Sequence, residues 1–152
     1  MSGPADTGGV RLAATLLFRV EATHDGEFSA LAEGGPHGTR VVAGVTEGTV
    51  AGPRVSGRMV RGLTSDWVTV RRDGIWEIDV RAAFVTDDDA TVLYFYNGLL
   101  RRDPTGVLRL RGAPRFQTGD ERYAWLNEIQ AVAIGEADLS SHAARYDVYA
   151  LD

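Results

Sequence analysis

Between residues 66 and 98, three apolar runs rich in β-branched and aromatic residues follow one another. They span residues 67–71, 75–85 and 91–96. Asp73 and Gly74 separate the first two runs. An Asp-Gly pair between alternating apolar runs is a strong hairpin signal, because Gly adopts a positive φ without steric cost. The pattern therefore predicts an antiparallel meander of three strands.

The middle run alternates between two kinds of side chain. One face carries Trp76, Ile78, Val80, Ala82 and Phe84, and the opposite face carries Glu77, Asp79 and Arg81. Successive side chains of a strand point to opposite sides of its sheet. We therefore expect the apolar set to be buried together on one face of the longest central strand.

Strand patterns also occur outside this meander. They cover residues 12–21, 40–50, 55–61, 107–111, 129–135 and 145–151. In the first of these, one face carries Leu12, Ala14, Leu16, Phe18 and Val20. Residues 24–38 are rich in Gly and Pro and predict a long loop or a hairpin end, and residues 99–105 predict a charged turn.

Residues 112–127 follow a different pattern. Thr118, with Glu121 three positions later, fits a capping box, and the spacing of Tyr123, Leu126 and Asn127 is helical. We expect one short helix near residues 120–127, about two turns long.

Short strands joined by Gly-rich turns predict an all-β fold, either an up-and-down barrel or a sandwich. The barrel is favoured because closure removes exposed sheet edges, and the terminal strands carry few charged residues that would protect an edge. The expected structure is an antiparallel up-and-down β-barrel of about eight strands, with the helix in the C-terminal third. Residues 1–10 are expected to be a disordered lead, and residues 11–152 a single barrel domain.

The composition narrows the choice of partners and of chemistry. The formal net charge is −5 and there is no basic run, which argues against nucleic acid or an anionic membrane as a partner. No apolar run approaches the roughly 20 residues that span a bilayer, and the N-terminus lacks an apolar signal segment, so a cytoplasmic protein is expected. The chain has no Cys and no Lys, which excludes thiolate and Schiff-base chemistry.

The sequence gives no indication of a cofactor or a metal. His24, His37 and His142 lie in loop-like segments without metal-ligand spacing. The three Asp residues at 87–89 lack the Gly and the distal Glu of a calcium loop. Phosphate-binding glycine motifs and the serine-hydrolase elbow are also missing.

Four motifs together resemble one family. They are GTVAGPRVSGRMVRG, SDW, RRDGIWEIDVR and APRFQTGDERYAWLN. The chain from about Leu16 to its end is similar to the small proteins of domain-of-unknown-function family 3237. The family's fold resembles the barrel of allene oxide cyclase, a cofactor-free enzyme that closes a ring inside an apolar cavity. Glu47 replaces a usual Gly and Ala82 a common aromatic residue, which implies a more acidic and roomier cavity.

The candidate catalytic groups are ionisable side chains within apolar strands. Asp79 and Arg81 share one side of their strand, which is either the barrel interior or, together with Glu77, the solvent face. Glu47 would transfer protons near neutral pH if it were buried, whereas a Glu beside Gly is more often an exposed turn residue. Tyr94 completes the candidate catalytic set.

The candidate substrate-binding residues are Trp67, Tyr96, Trp125 and Asn127. Aromatic side chains of this kind line apolar pockets, although ordinary core packing explains each of them equally well. Asn127 would offer its amide to a ligand or cap the helix. Asp66 precedes Trp67 and is interpreted as a residue that caps a turn.

Three functions remain open. The first is a cofactor-free cyclase or isomerase that folds an apolar, oxygenated substrate inside the barrel. The second is a protein that binds a small molecule without transforming it. The third is an obligate homodimer whose apolar faces form an interface and that takes no ligand.

Overall fold

The computed structural model describes residues 8–26 and 30–152. Most of the predicted N-terminal lead, residues 1–7, therefore lies outside the described residues. The strands are β1 (Ala14–His24), β2 (Ala30–Gly35), β3 (Gly38–Ala51), β4 (Ser56–Met59), β5 (Ser65–Val70), β6 (Trp76–Thr86), β7 (Thr91–Arg102), β8 (Leu108–Gly112), β9 (Arg115–Gln117), β10 (Ala131–Asp138) and β11 (Ala143–Leu151).

These strands close into an antiparallel eight-stranded barrel. Three positions of the barrel are each filled by two strands in line. β1 and β2 lie along β3, β4 and β5 lie between β3 and β6, and β8 and β9 lie along β7. Each position pairs with the next along the chain, and β11 pairs with β1 to close the ring. The predicted up-and-down barrel is confirmed.

Of two expected connections, the one at 99–105 differs from the prediction and the one at 24–38 matches its hairpin-end alternative. The segment at 99–105 is not a turn throughout, because β7 continues to Arg102 and the turn begins at Asp103. Leu100 continues the inward-facing alternation of β7 and is buried. Its burial favours a strand that continues to pair with β8 over a turn that begins at residue 99. The segment at 24–38 contains the β2–β3 hairpin, with its turn at residues 36–37, and residues 27–29 lie outside the described residues.

A bulge in β1 changes which of its side chains face inward. The register against β11 shifts between Leu16 and Phe18. Leu17 and Phe18 are therefore both buried, whereas Leu16 is 42% exposed. Leu16 does not share the inward face of Phe18 and Val20, because a bulge inserts one residue and reverses the alternation before it.

The inward face of β6 is the predicted one. Ile78, Val80, Ala82 and Phe84 are buried, and Trp76 is half-buried against the same core. The opposite face of the strand is directed outwards. The alternation of β6 thus identifies its buried side correctly.

The predicted helix is a 3-10 helix that spans Glu121–Glu128. Its N-cap is Asp120, whose side chain accepts a hydrogen bond from the backbone N–H of Arg122. Thr118 is not the cap; it lies two residues earlier, where its hydroxyl oxygen accepts a hydrogen bond from the N–H of Asp120. Within the described residues, no helix is long and apolar enough to cross a membrane.

The barrel interior has two unlike halves. In the packed half, the ring of Phe18 makes edge contacts with Phe84, Tyr94 and Phe116 at centroid distances of 5.8–6.1 Å. The 3-10 helix adds Leu126, which is fully buried. The hollow half lies at the other end of the barrel, where Ala22, Val68, Leu108 and Ala144 point inward.

Replacing Phe84 with Ala should lower the free energy of unfolding by about 3–5 kcal/mol, because Phe84 is fully buried against Phe18 and its removal leaves a cavity. Leu93→Ala is the matched control, since Leu93 lies on the exposed face of β7 and should cost less than about 1 kcal/mol. Urea denaturation of both variants measures these losses. A loss below about 0.5 kcal/mol for Phe84→Ala would show that the packed half does not depend on this ring.

Candidate functional site

The hollow half encloses a cavity of about 340 Å³. Apolar side chains form most of its lining. The polar residues that line it are His24, Asp25, Thr64, Asp66, Tyr96, His142 and Tyr146. Asp25, Leu139 and His142 are exposed residues at strand ends, so they form the rim.

The cavity exists because short side chains occupy inward positions of the hollow half. They are Ala22, Ala43, Val45, Ala137 and Ala144. The interior of an eight-stranded barrel is just wide enough for side chains to fill or for one small ligand. In the packed half, aromatic rings fill the interior. In the hollow half, Ala and Val leave the corresponding space empty.

Asp66 is the acidic side chain in the interior of the hollow half. On β5, Asp66 and Val68 point inward and Trp67 points outward. The carboxylate accepts a hydrogen bond from the backbone N–H of Asp79, with 3.2 Å between nitrogen and oxygen. Burial raises the pKa of Asp66 to about 7; that hydrogen bond opposes the rise, and the charge of Asp79 adds to it. A carboxyl with this pKa exchanges protons near neutral pH.

Two tyrosines share the cavity with Asp66. Tyr96 lies on β7 and Tyr146 on β11, and their ring centroids are 6.0 Å apart. The hydroxyl of Tyr94, which belongs to the packed half, donates a hydrogen bond of 3.0 Å to the hydroxyl of Tyr146. Burial raises the pKa of Tyr146 to about 12, and that of Tyr96 well above its ordinary value. Both hydroxyls therefore keep their protons at neutral pH and serve as hydrogen-bond donors.

Glycines lie in close contact with both tyrosines, with the ring of Tyr96 and with Cβ of Tyr146. A Cβ on Gly112 would lie 2.8 Å from Cδ2 of Tyr96, and a Cβ on Gly135 would lie 2.3 Å from Cβ of Tyr146. Gly135 is also the direct cross-strand partner of Tyr146. Glycine in a strand often marks such a close approach.

Two histidines meet at the rim. The backbone N–H of His24 donates to the carbonyl oxygen of His142 at 2.9 Å, and Nδ1 of the His24 ring lies 3.1 Å from the same oxygen. Burial lowers the pKa of His24; the hydrogen bond to His142 opposes this effect, and the His142 imidazole adds to it. Among the described residues, no three acidic or histidine side chains are placed to hold a metal ion.

Of the predicted catalytic residues, none lines the cavity. Tyr94 is fully buried beneath it in the packed half. Glu47 is exposed on β3, and Asp79 and Arg81 form an ion pair of 3.0 Å on the outer face of β6. The expectation that one of these charges reaches into the lumen is wrong. Successive side chains of a strand point to opposite faces, and the neighbours Gly48 and Val80 are the ones on the inward face, so these charged side chains point outward.

Of the predicted substrate-binding residues, Tyr96 lines the cavity and the other three do not. Trp67 is 49% exposed on the outer face of β5. Trp125 lies at the packed end beneath the guanidinium of Arg54, 3.7 Å from its ring centroid. The amide of Asn127 makes two hydrogen bonds to the backbone of Thr118 and so fixes the loop before the helix.

The cavity also contains Asp66, Tyr146 and His24, which the sequence did not single out as site residues. Asp66 alternates with Val68 and Val70 along β5, so a charge on an apolar face was the available signal. Tyr146 likewise alternates with Ala144 and Val148. His24 carried no such signal, because the sequence pattern placed it in a loop. In the structure β1 extends three residues beyond its predicted end and includes His24.

Comparison with known proteins identifies relatives along most of the chain. The model of a family described as "Protein of unknown function (DUF3237)" matches residues 12–151. A UPF0311 protein from Rhodopseudomonas palustris strain TIE-1 is 31% identical over 122 residues, which cover 71% of this chain and 76% of that protein. A UPF0311 protein from Bradyrhizobium diazoefficiens is 30% identical over 110 residues, which cover 63% and 70%.

Solved structures share the fold. A β-barrel-like protein from Acinetobacter baumannii AYE is 22% identical with a TM-score of 0.85, covering 97% of this chain and 100% of that chain. A protein described as an enzyme from Penicillium herquei is also 22% identical, with a TM-score of 0.71 and coverage of 95% and 99%. At this level of identity, the likeness establishes the fold alone.

The contribution of Asp66 to stability should fall as the pH rises from about 4 to about 7. The unfolded carboxyl loses its proton near 3.8 and the folded one near 7, so between these values the folded protein binds more protons. The stabilising contribution of Asp66 is complete below the unfolded pKa and is lost as the pH rises through the folded pKa. The total loss is about 4 kcal/mol.

Asp66→Asn removes this contribution. Urea denaturation at several pH values measures the free energy of unfolding of both proteins. Between about pH 4 and about pH 7, the variant should become more stable relative to the wild type as the pH rises. The matched control is Glu77→Gln, in which an exposed carboxylate on the neighbouring strand is replaced. If the Asp66→Asn difference is constant with pH, the Asp66 carboxyl has an ordinary pKa.

Proposed function

This chain belongs to the DUF3237 family of proteins of unknown function, and we propose that it binds a small, largely apolar, oxygenated molecule in the hollow half of its barrel. We further propose that it isomerises or cyclises this molecule by proton transfer, without a cofactor. The observation that carries the proposal is a carboxyl group, Asp66, enclosed in the same apolar cavity as the hydroxyls of Tyr96 and Tyr146.

The lining favours a neutral ligand. Apolar side chains form most of the surface, and the volume of about 340 Å³ is near the lower limit for small-molecule pockets, roughly 300 Å³. None of the described residues that line the cavity is an Arg, so a carboxylate or phosphate group would lack a strong partner there. An oxygen atom of the ligand would instead accept hydrogen bonds from the tyrosines.

The same groups suit proton transfer beside a carbonyl group. The Tyr96 and Tyr146 hydroxyls would donate hydrogen bonds to a ligand oxygen, where negative charge develops as a neighbouring proton leaves. Asp66 would give or take the proton, since its pKa of about 7 makes both forms available near neutral pH. The apolar lining excludes water and strengthens these interactions.

A cyclisation would rest on the shape of the cavity as well. A flexible ligand confined there would be held with its reacting atoms close together, which removes much of the entropic cost of ring closure. The Penicillium herquei protein that shares this fold is described as an enzyme, which supports a catalytic use of the barrel.

The alternative is a protein that binds the same class of molecule without changing it. The mostly apolar lining favours this second function, because apolar contact alone can hold such a ligand. The two functions differ in whether Asp66 exchanges a proton with the ligand.

The test uses 2-tetralone, a neutral bicyclic ketone with acidic α-protons, as the probe. Binding is followed through the change in tryptophan fluorescence, since Trp76 lines the cavity, and exchange of the α-protons for deuterium is followed by proton NMR. We expect the wild type to bind the ketone and accelerate exchange. Asp66→Asn should slow exchange by about 10²–10⁴-fold while leaving Kd nearly unchanged.

Glu77→Gln, which replaces an exposed carboxylate, is the control and should exchange at the wild-type rate. Binding without accelerated exchange in the wild type would favour the binding protein over the enzyme. Equal exchange by the wild type and Asp66→Asn would remove Asp66 from the mechanism, and absence of binding would contradict the proposed ligand class.

A further inference from the structure

We propose that His24 is a second proton-transfer residue of this cavity, with Nε2 acting as the base while Asp66 acts as the acid. The inference rests on the proposed function and deepens it, because it assigns a separate role to each group. It also narrows the substrate to a neutral carbonyl compound that is protonated on oxygen as it loses a proton elsewhere.

His24 and Asp66 face the cavity from the two sides of β3. His24 pairs with Val45 and Asp66 pairs with Ala43. Ala43 and Val45 are two positions apart and all four residues line the cavity. His24 and Asp66 are therefore separated by two strand spacings across the sheet and two residues along it, or roughly 12 Å, which leaves room for a ligand between them.

The tautomer of His24 is set by its contact with His142. Nδ1 lies 3.1 Å from the carbonyl oxygen of His142, and a carbonyl oxygen only accepts hydrogen bonds. Nδ1 must therefore carry the proton, and Nε2 of the neutral ring keeps a lone pair. The backbone N–H of His24 donates to the same oxygen, which fixes the residue in place.

The surroundings favour the protonation states that these roles require. The ionisable groups facing the cavity besides His24 are Asp25, Asp66, Tyr96, His142 and Tyr146. Burial lowers the pKa of His24 and raises that of Asp66. Near neutral pH the histidine is therefore a neutral base while a substantial share of Asp66 is still an acid. Two groups whose environments separate their protonation states in this way are suited to acid and base roles.

The step balances without an oxidant or a co-reactant. His24 Nε2 takes a proton from a carbon next to the ligand carbonyl, and the C–H electron pair becomes a C=C bond. The carbonyl oxygen receives the Asp66 proton, which yields an enol, an imidazolium and a carboxylate. When the ligand has a C=C bond at its β,γ-position, the enol is a conjugated dienol; return of the imidazolium proton to the γ-carbon moves the C=C bond to the α,β-position, the enol O–H proton returns to Asp66 as the C=O bond reforms, and the isomerisation is complete.

The first test needs no ligand. Nitrogen-15 NMR of the histidine rings, assigned with His24→Gln, should show a proton on Nδ1 and none on Nε2 of His24 at pH 7. The ring should titrate below 6.5, the ordinary value for histidine. A proton on Nε2 at neutral pH, or titration at or above 6.5, overturns the inference.

The second test is exchange of the α-protons of 2-tetralone in the folded full-length chain. His24→Gln keeps a donor for the His142 carbonyl but is not a base, so exchange should fall by about 10²-fold with Kd unchanged. His37→Gln is the matched control, because His37 is exposed in the β2–β3 turn. Added imidazole should restore part of the rate lost in His24→Ala, which a merely structural role would not allow.

The pH profiles separate the two proposals. The wild-type rate should rise as His24 loses its proton and fall as Asp66 ionises. His24→Gln should lose the acidic limb, and Asp66→Asn the alkaline limb. Wild-type exchange by His24→Gln, together with a loss in Asp66→Asn, overturns the His24 assignment and leaves the proposed function in place. No exchange by the wild type overturns both.

Discussion

The interior width of an eight-stranded barrel is the constraint on which this structure depends. Such a barrel has only enough interior space for its own side chains or for one small ligand. Here the aromatic cluster around Phe18 fills the packed half, and Ala and Val side chains leave the hollow half open. The cavity therefore lies in the half of the interior that the aromatic cluster does not fill.

The hydrogen bond between Tyr94 and Tyr146 connects the two halves. Tyr94 is held by the rings of Phe18 and Phe116, and its hydroxyl positions that of Tyr146 at the edge of the cavity. A donor held in this way needs little reorganisation when charge develops on a ligand oxygen. Asp66 has the opposite effect on stability, since its ionised form is disfavoured in the apolar interior. Such a stability cost is common at functional sites.

The fold could be predicted from local patterns because strand alternation and turn residues are local. The alternation of β6 identified the buried face that contains Phe84, and the same alternation directs Asp79 and Arg81 outward. The site was harder to predict, because it depends on pairings between distant segments. Asp66 follows Ser65 and resembles a turn cap in isolation, whereas pairing of β5 with β3 and β6 directs it into the lumen. The inward position of Leu17 and the extension of β1 to His24 likewise depend on register against β3 and β11.

Proton transfer in the hollow half requires a carboxyl group that is largely protonated just below neutral pH. Carbon-13 NMR of the side-chain carboxyl of Asp66, assigned with Asp66→Asn, measures this directly in the ligand-free protein. The titration midpoint is expected at about 7. A midpoint near 4, the ordinary value for aspartic acid, would contradict it.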